Sequence, residues 1–292
     1  MQKLINIVDI GTSSIKASVF ECVGAVCKQV AFKSAAIRMV DQTSVVIDDD
    51  RQNLAIGVMK GLISFGQDKG TENTICIATY SIRSAKNAHN FLSKVKAETG
   101  MGVNVLSGRE EAQFICDSVK NIEWTENFFS MDIGGGSVEF NLFKGTHIFS
   151  ASKNIGAISL AELLRDGHLE PSLDNITKIV CESVEDIPDL RRDAKIICTG
   201  GCLVIAKRFF PMVDGKTVSA AEVKFLFEKI SPMSLPDRLV FGIPEGKADI
   251  FDIALGTVVA MLSIIKRNEI VISEANVRHG VALNRASFMK QQ

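Results

Sequence analysis

The sequence predicts an α/β protein of two lobes, on three observations. Its 292 residues reach the size, roughly 250–300 residues, at which a single hydrophobic core stops growing. Short apolar runs with strand character alternate with segments of helical period. A strand–turn–strand unit occurs twice, as DIGTSSIKASVF from Asp9 and DIGGGSVEFNLF from Asp132, sharing Asp, Ile, Gly and a serine five residues on.

In chain order, LINIVDIG and IKASVF form the first hairpin, followed by another extended stretch. Helical spacing covers 51–67, NTICIAT reads as a strand, and KNAHNFLSKVKAET reads as a helix stopped by Gly100. A short strand then ends at Leu106. Ser107 and Glu110 have the S-x-x-E spacing of a capping box, which occupies Glu110 and leaves Glu111 as the expected free carboxylate at the positive end of a helix. The second lobe starts near Trp124 with FFSMDIGG and VEFNLF, continues through helices at 157–166 and 172–185 to a strand at KIICTGG, and ends in a long apolar helix, FDIALGTVVAMLSIIKR.

Composition restricts the functions open to the chain. With 33 basic against 34 acidic residues it lacks the footprint of a general nucleic-acid binder, so an anion must be met by a local site. At 46% hydrophobic it can bury a substantial core. Asn6 and Asp9 interrupt the N-terminal apolar run before an export signal could form, and the longest apolar stretch, IALGTVVAMLSII, is too short to span a bilayer. A cytoplasmic protein without a membrane partner is expected. The seven cysteines are scattered, with no CxxC pair, and read as reduced thiols; the four histidines stand in no zinc-ligand spacing near Cys198 and Cys202.

Three consecutive glycines, Gly134 to Gly136, follow a strand that delivers Asp132. Such a loop is either a tight turn or a cradle of backbone N–H groups beside a carboxylate, suited to a phosphate held with a divalent cation. The similar loop at Gly11, Thr12 and Ser13 and the pair Gly200–Gly201 favour the cradle. Arg83, between a strand and a helix, either pairs with an acid or waits for an anion. Asp132, Glu139 and Glu111 are expected to converge at an interlobe cleft. At an effective dielectric near 20, carboxylates about 4 Å apart repel by roughly 4 kcal/mol, so the cluster calls for either a raised pKa or a cation, most simply Mg²⁺. Asp9 and Lys16 supply a second carboxylate and a cation to the same place, Lys16 being either a phosphate ligand or a solvated strand residue. The pairs Arg191–Arg192 and Lys207–Arg208 read as solvent-facing charges.

DIGTSSIK, ATYSIRSAKN, LSGREEAQ, MDIGGGSVEF, NIGAISL, ICTGGC and SEANVRHG, in this order along almost the whole chain, resemble the motifs of the exopolyphosphatase and guanosine pentaphosphate phosphohydrolase family. The resemblance implies two actin-like α/β domains, 1–122 and 123–292, with a C-terminal helix near 280–292 able to pack back on the first, and phosphates bound between them. It implies Glu111 as the residue acting on the attacking water and Arg83 as the grip on the terminal phosphate. It further implies Asp132 and Glu139 as holders of magnesium or water, with Asp9 beside them, and Gly134 to Ser137 as the phosphate cradle. The sequence departs from the family pattern at Tyr80, Val138, Ser159 and Gly246, where serine, threonine, arginine and a charged residue are usual; alternation along the strand turns Val138 away from Glu139.

The reading is therefore a magnesium-dependent phosphohydrolase acting on inorganic polyphosphate or a guanosine polyphosphate nucleotide, with a homodimer implied by the resemblance. A non-catalytic sensor of guanosine tetra- or pentaphosphate and an ATP-dependent kinase or ATPase are the alternatives.

Overall fold

The structure is a computed structural model that describes residues 3–39, 46–187, 194–211 and 214–289. Arg191 and Arg192 lie outside the described residues. The chain divides into two compact units: Met1–Ser118 with Asn276–Gln292, and Val119–Ala275.

In the first unit, β1 (Lys3–Ile10), β2 (Ser14–Val23) and β3 (Val26–Ala36) form an antiparallel meander. The chain then passes through α1 (Asp49–Asp68), β4 (Asn73–Ala78), α2 (Tyr80–Ser84), α3 (Ala88–Thr99) and β5 (Val103–Val105) into α4 (Gly108–Glu123). β4 and β5 add in parallel, giving the order β3-β2-β1-β4-β5. α1 starts two residues before the expected 51, capped by Asp48, which accepts from the Arg51 amide, and Gly100 closes α3 as expected, in the left-handed conformation at φ 73°.

The second unit repeats this plan. β6 (Asn127–Ile133), β7 (Val138–Lys144) and β8 (Thr146–Lys153) form the meander. There follow α5 (Ala157–Asp166), α6 (Leu173–Ser183), β9 (Lys195–Thr199), α7 (Gly201–Ala206), β10 (Thr217–Ser219), α8 (Ala220–Ile230), α9 (Leu235–Val240), α10 (Glu245–Ala248), α11 (Phe251–Ile265) and β11 (Glu269–Ile272). The sheet order is β10-β11-β9-β6-β7-β8. Read from its β8 edge, it matches the first sheet strand for strand, with β10 added. The duplication seen in two hairpins thus extends to whole domains, and the fold is the two-domain α/β class the sequence predicts.

The core of the second unit surrounds α11, whose flanks pack on α5, α6 and α8. Gly256 permits this closeness: a Cβ there would lie 2.7 Å from Ile176 Cδ1. The length argument against a membrane span needs correction. With the turn of α10 added, Glu245–Ile265 is long and apolar enough to cross a bilayer, but 83% of the window is buried inside the second unit, as befits a core helix.

The chain returns to the first unit through α12 (Val277–Leu283) and α13 (Arg285–Met289). α12 lies against β1, β2 and β3. At Gly280 a Cβ would stand 1.9 Å from the carbonyl oxygen of Phe114, so only glycine allows α12 its approach to α4. The expectation of seven reduced thiols is also corrected. Cys22 and Cys27 sit directly opposite on β2 and β3 and form a disulfide, because the tight turn through Gly24 brings them into register. Among the described residues Cys76, Cys116, Cys181, Cys198 and Cys202 form no disulfide; burial pushes the Cys76 thiol up to about 12, leaving it inert at neutral pH.

His279, on α12, stacks on Phe20 with ring centroids 5.4 Å apart, and its Nε2 has no hydrogen-bond partner. Burial holds its pKa below the usual 6.5, outweighing a backbone hydrogen bond at Cys27 that raises it. The unfolded chain therefore takes up this proton first. His279 contributes stability that is complete above about pH 6.5 and is lost as pH falls through the depressed value. Thermal unfolding from pH 7.5 to 5 is expected to show a decline in Tm that is shallower in His279→Phe; parallel declines would contradict it.

Candidate active site

The two glycine loops have one geometry. In the first unit the Gly11 amide donates to Ser14 O at 3.1 Å, and in the second the Gly134 amide donates to Ser137 O at 3.0 Å. The glycines are required by close approach, since a Cβ on Gly134 would fall 2.7 Å from Ser137 O, and one on Gly156 would fall 2.4 Å from the Ser137 nitrogen. The loop's carbonyls are turned toward the start of α5. Gly134 O accepts from the Ala157 amide (3.0 Å), Gly135 O from Ile158 (2.7 Å), and Gly136 O from the Ser159 hydroxyl (2.9 Å). With the carbonyls tied back, the Gly135 and Gly136 amides donate to no backbone carbonyl among the described residues. A loop so arranged presents donors to an anion. Ser159, where the family pattern has arginine, thus anchors the loop.

Asp132 and Glu139 stand directly opposite across β6 and β7 and so share one face of the sheet. Thr199 Oγ1 donates to Asp132 Oδ1 at 2.5 Å, and Ser152 Oγ to Glu139 Oε1 at 2.7 Å. Glu139 is 1% exposed. Val138 is fully buried in the core on the other face, as strand alternation requires. Like charges directly opposite are destabilising, so this pair suits a cation. Among the described residues no group of three or more His, Cys, Asp or Glu gathers to cage a metal. Two carboxylates beside the glycine loop nevertheless fit Mg²⁺, which commonly takes one or two carboxylates together with substrate phosphates.

Gly200 and Gly201 play different parts. Gly200 has φ 120°, and a Cβ on it would stand 2.4 Å from Ile133 O, so it lets the end of β9 lie against the glycine loop's strand. Gly201 begins α7 with the Lys247 side chain close by. Burial, with the Asp132 charge adding to it, pushes the neighbouring Cys198 thiol up strongly.

In the first unit the capping box is complete: the Ser107 amide donates to Glu110 Oε2 (2.8 Å) and the Glu110 amide to Ser107 Oγ (3.2 Å). Glu111 is correspondingly left out of it, but it is not free. Arg83 Nη1 donates to its Oε2 at 3.1 Å and to Leu106 O at 2.8 Å. Arg83 thus takes the acid partner that the sequence left as one option, and the guanidinium has further N–H groups with which to meet an anion. Tyr80, the chain's only tyrosine, has its ring 5.9 Å from the Arg83 guanidinium carbon.

Asp9, expected beside the metal, is engaged in an ion pair. Its Oδ2 accepts from Arg278 Nη1 at 3.0 Å, both side chains are buried, and Arg278 Nε also donates to Ser18 Oγ at 2.9 Å. A guanidinium already neutralises this carboxylate, although its Oδ1 is buried without a partner. Thr12 and Ser13 are buried, and Thr12 O accepts from the Met39 amide at 3.1 Å, so the backbone of the Gly11 loop is partly committed within the unit. Lys16 faces Asp9 across β1 and β2, where Glu139 faces Asp132 in the second unit; the duplication has exchanged a carboxylate for a cation. Arg278 was missed as a site residue, although SEANVRHG was among the recognised motifs. Lys207 pairs with Glu274 (3.2 Å), and Arg208 donates to Gly242 O (3.1 Å).

The profile of the Ppx/GppA phosphatase family matches residues 13–287. A guanosine-5'-triphosphate,3'-diphosphate pyrophosphatase of Photobacterium profundum is 23% identical over 77% of this chain and 47% of its own length, so the chain spans about half of that relative. Among solved structures, an exopolyphosphatase from Cytophaga hutchinsonii superimposes with TM-score 0.86 at 19% identity, over 98% of each chain. An Aquifex aeolicus Ppx/GppA family member does so with TM-score 0.79 at 19% identity, over 100% of each. These structures share the fold. With the family profile extending over nearly the whole sequence, the chain belongs to the Ppx/GppA phosphatase family.

Proposed function

We propose that this chain is a phosphohydrolase that releases orthophosphate from the end of inorganic polyphosphate, with guanosine pentaphosphate as a second substrate. The observation that carries the reading is the opposed pair Asp132 and Glu139 beside a glycine loop whose carbonyls are tied back and whose amides remain to bind phosphate.

In the proposed reaction the Gly135 and Gly136 amides of the second unit hold phosphate oxygens and offset their charge, and Arg83 of the first unit offers its remaining N–H groups to phosphate. Water attacks the terminal phosphorus, its proton passes to Glu111, and the bond to the bridging oxygen breaks with the shortened chain as leaving group. Asp132 and Glu139 would hold Mg²⁺, which when bound neutralises phosphate charge. The ion pair with Arg83 fixes the Glu111 carboxylate in orientation.

The proposal retains the cytoplasmic location expected from the sequence; there Cys22–Cys27 is a bond that thiol reductants would open. It assigns every role within one chain and leaves the homodimer as a separate expectation, read by sedimentation. Phosphate release from polyphosphate and from guanosine pentaphosphate, measured side by side with Mg²⁺, tests the function. Orthophosphate from polyphosphate is expected; binding without release would indicate a sensor.

A further inference from the structure

The second unit has a groove of about 760 Å³ on its helical layer, bordered by α6, α8 and the end of α11. Its volume lies within the range of small-molecule sites, roughly 300–1,000 Å³. The groove includes apolar side chains, Leu173, Val259 and Leu262, together with four cations, Lys178, Lys224, Lys266 and Arg267, and one acid, Asp174. Among the described residues Lys178, Lys266 and Arg267 form no salt bridge, and Lys224 reaches only Glu228, at 3.7 Å.

Topology separates this groove from the candidate active site. β9 is parallel to β6, with Thr199 level with Asp132 at the carboxyl ends of both strands, and β11 is parallel to β9. Arg267 and Asn268 immediately precede β11, and α8 begins at Ala220 just after Ser219, which pairs with Glu269. The groove therefore lies toward the amino-terminal edge of the parallel strands, and the glycine loop at the opposite edge.

Lys266 adds an independent sign. It closes α11 in the left-handed conformation, φ 53°, a position that glycine or asparagine fills at less cost. The helix dipole accounts for one cation at that end. It does not account for Lys178 and Lys224 on two other helices bordering the same groove.

We propose that this groove is a second binding site, distinct from the active site, for a small molecule carrying several phosphates. The cations meet the phosphates, and the apolar side chains give room to an organic part such as a nucleobase. Such a ligand can come as a nucleotide or as an inorganic oligophosphate.

The test is calorimetric titration of the full chain with GTP and, separately, with tripolyphosphate, in EDTA so that neither is turned over. It compares the wild type with the exposed double variant Lys178→Glu/Lys224→Glu. Replacing two attractive charges by repulsive ones is expected to weaken binding of at least one probe about tenfold or more. Phosphate release from polyphosphate by the variant, where the wild type shows it, is expected to change less than about twofold, given the groove's place in the fold. Where the variant weakens binding of a probe, the site is supported, and the probe more weakened identifies the ligand, GTP a nucleotide and tripolyphosphate an inorganic chain. Equal affinities in wild type and variant, or no binding of either probe to the wild type, would overturn it. The binding arms do not depend on hydrolysis, so failure of the proposed function and failure of this site give different results.

Discussion

Glu111→Gln is expected to lower phosphate release from polyphosphate by about 10²–10⁴-fold, the usual contribution of a positioned proton acceptor. The substitution preserves volume and can still accept the hydrogen bond from Arg83 Nη1 at Oε1, so the loss would reflect the chemistry of the carboxylate. Glu110→Gln provides the control. It alters a capping-box carboxylate one residue away, where glutamine can still accept from the Ser107 amide, and takes no proton acceptor from the site. Rates measured at saturating substrate distinguish the two. Equal activity in Glu111→Gln and the wild type would remove Glu111 from the reaction.

The largest effect on stability is expected away from the site. Arg238 on α9 donates to both oxygens of Asp252 on α11, at 2.7 and 2.8 Å, and also to the carbonyls of Ala248, Met233 and Ser231. The two side chains are 8% and 3% exposed. Truncating one member of such a pair leaves a buried charge without its counterion, which costs about 3–5 kcal/mol. Arg238→Ala is therefore expected to lower the denaturant midpoint sharply. Replacing both residues with apolar ones of similar volume, Arg238→Met with Asp252→Leu, is expected to recover much of the loss. A single variant as stable as the wild type would show that the pair contributes little to the fold.

The sequence made the architecture readable where local chemistry is strong. Asp-Ile-Gly at two strand ends disclosed the duplication, Gly100 marked a helix end, and S-x-x-E at Ser107 separated Glu110 from Glu111. What it could not disclose were contacts set by tertiary approach. The Asp9–Arg278 pair joins positions 269 apart in sequence, which no spacing rule links. Nor did spacing alone choose between an acid and an anion as the partner of Arg83, a choice made when the fold brings Glu111 of α4 within hydrogen-bond reach. The Cys22–Cys27 bond escaped because five residues of separation identify no pairing until the strand register is known. Asp252 and Arg238 passed unremarked because an acid in an apolar run reveals its partner only once two helices meet.

The opposed carboxylates give the most direct test of the account. Phosphate release from polyphosphate should be followed against Mg²⁺ concentration for the wild type and for Glu139→Gln, with EDTA as the zero point. Release that stops in EDTA, returns with Mg²⁺, and in Glu139→Gln needs at least about tenfold more Mg²⁺ or stays absent is the predicted result. Undiminished release in EDTA, or the same Mg²⁺ dependence in both proteins, would contradict it.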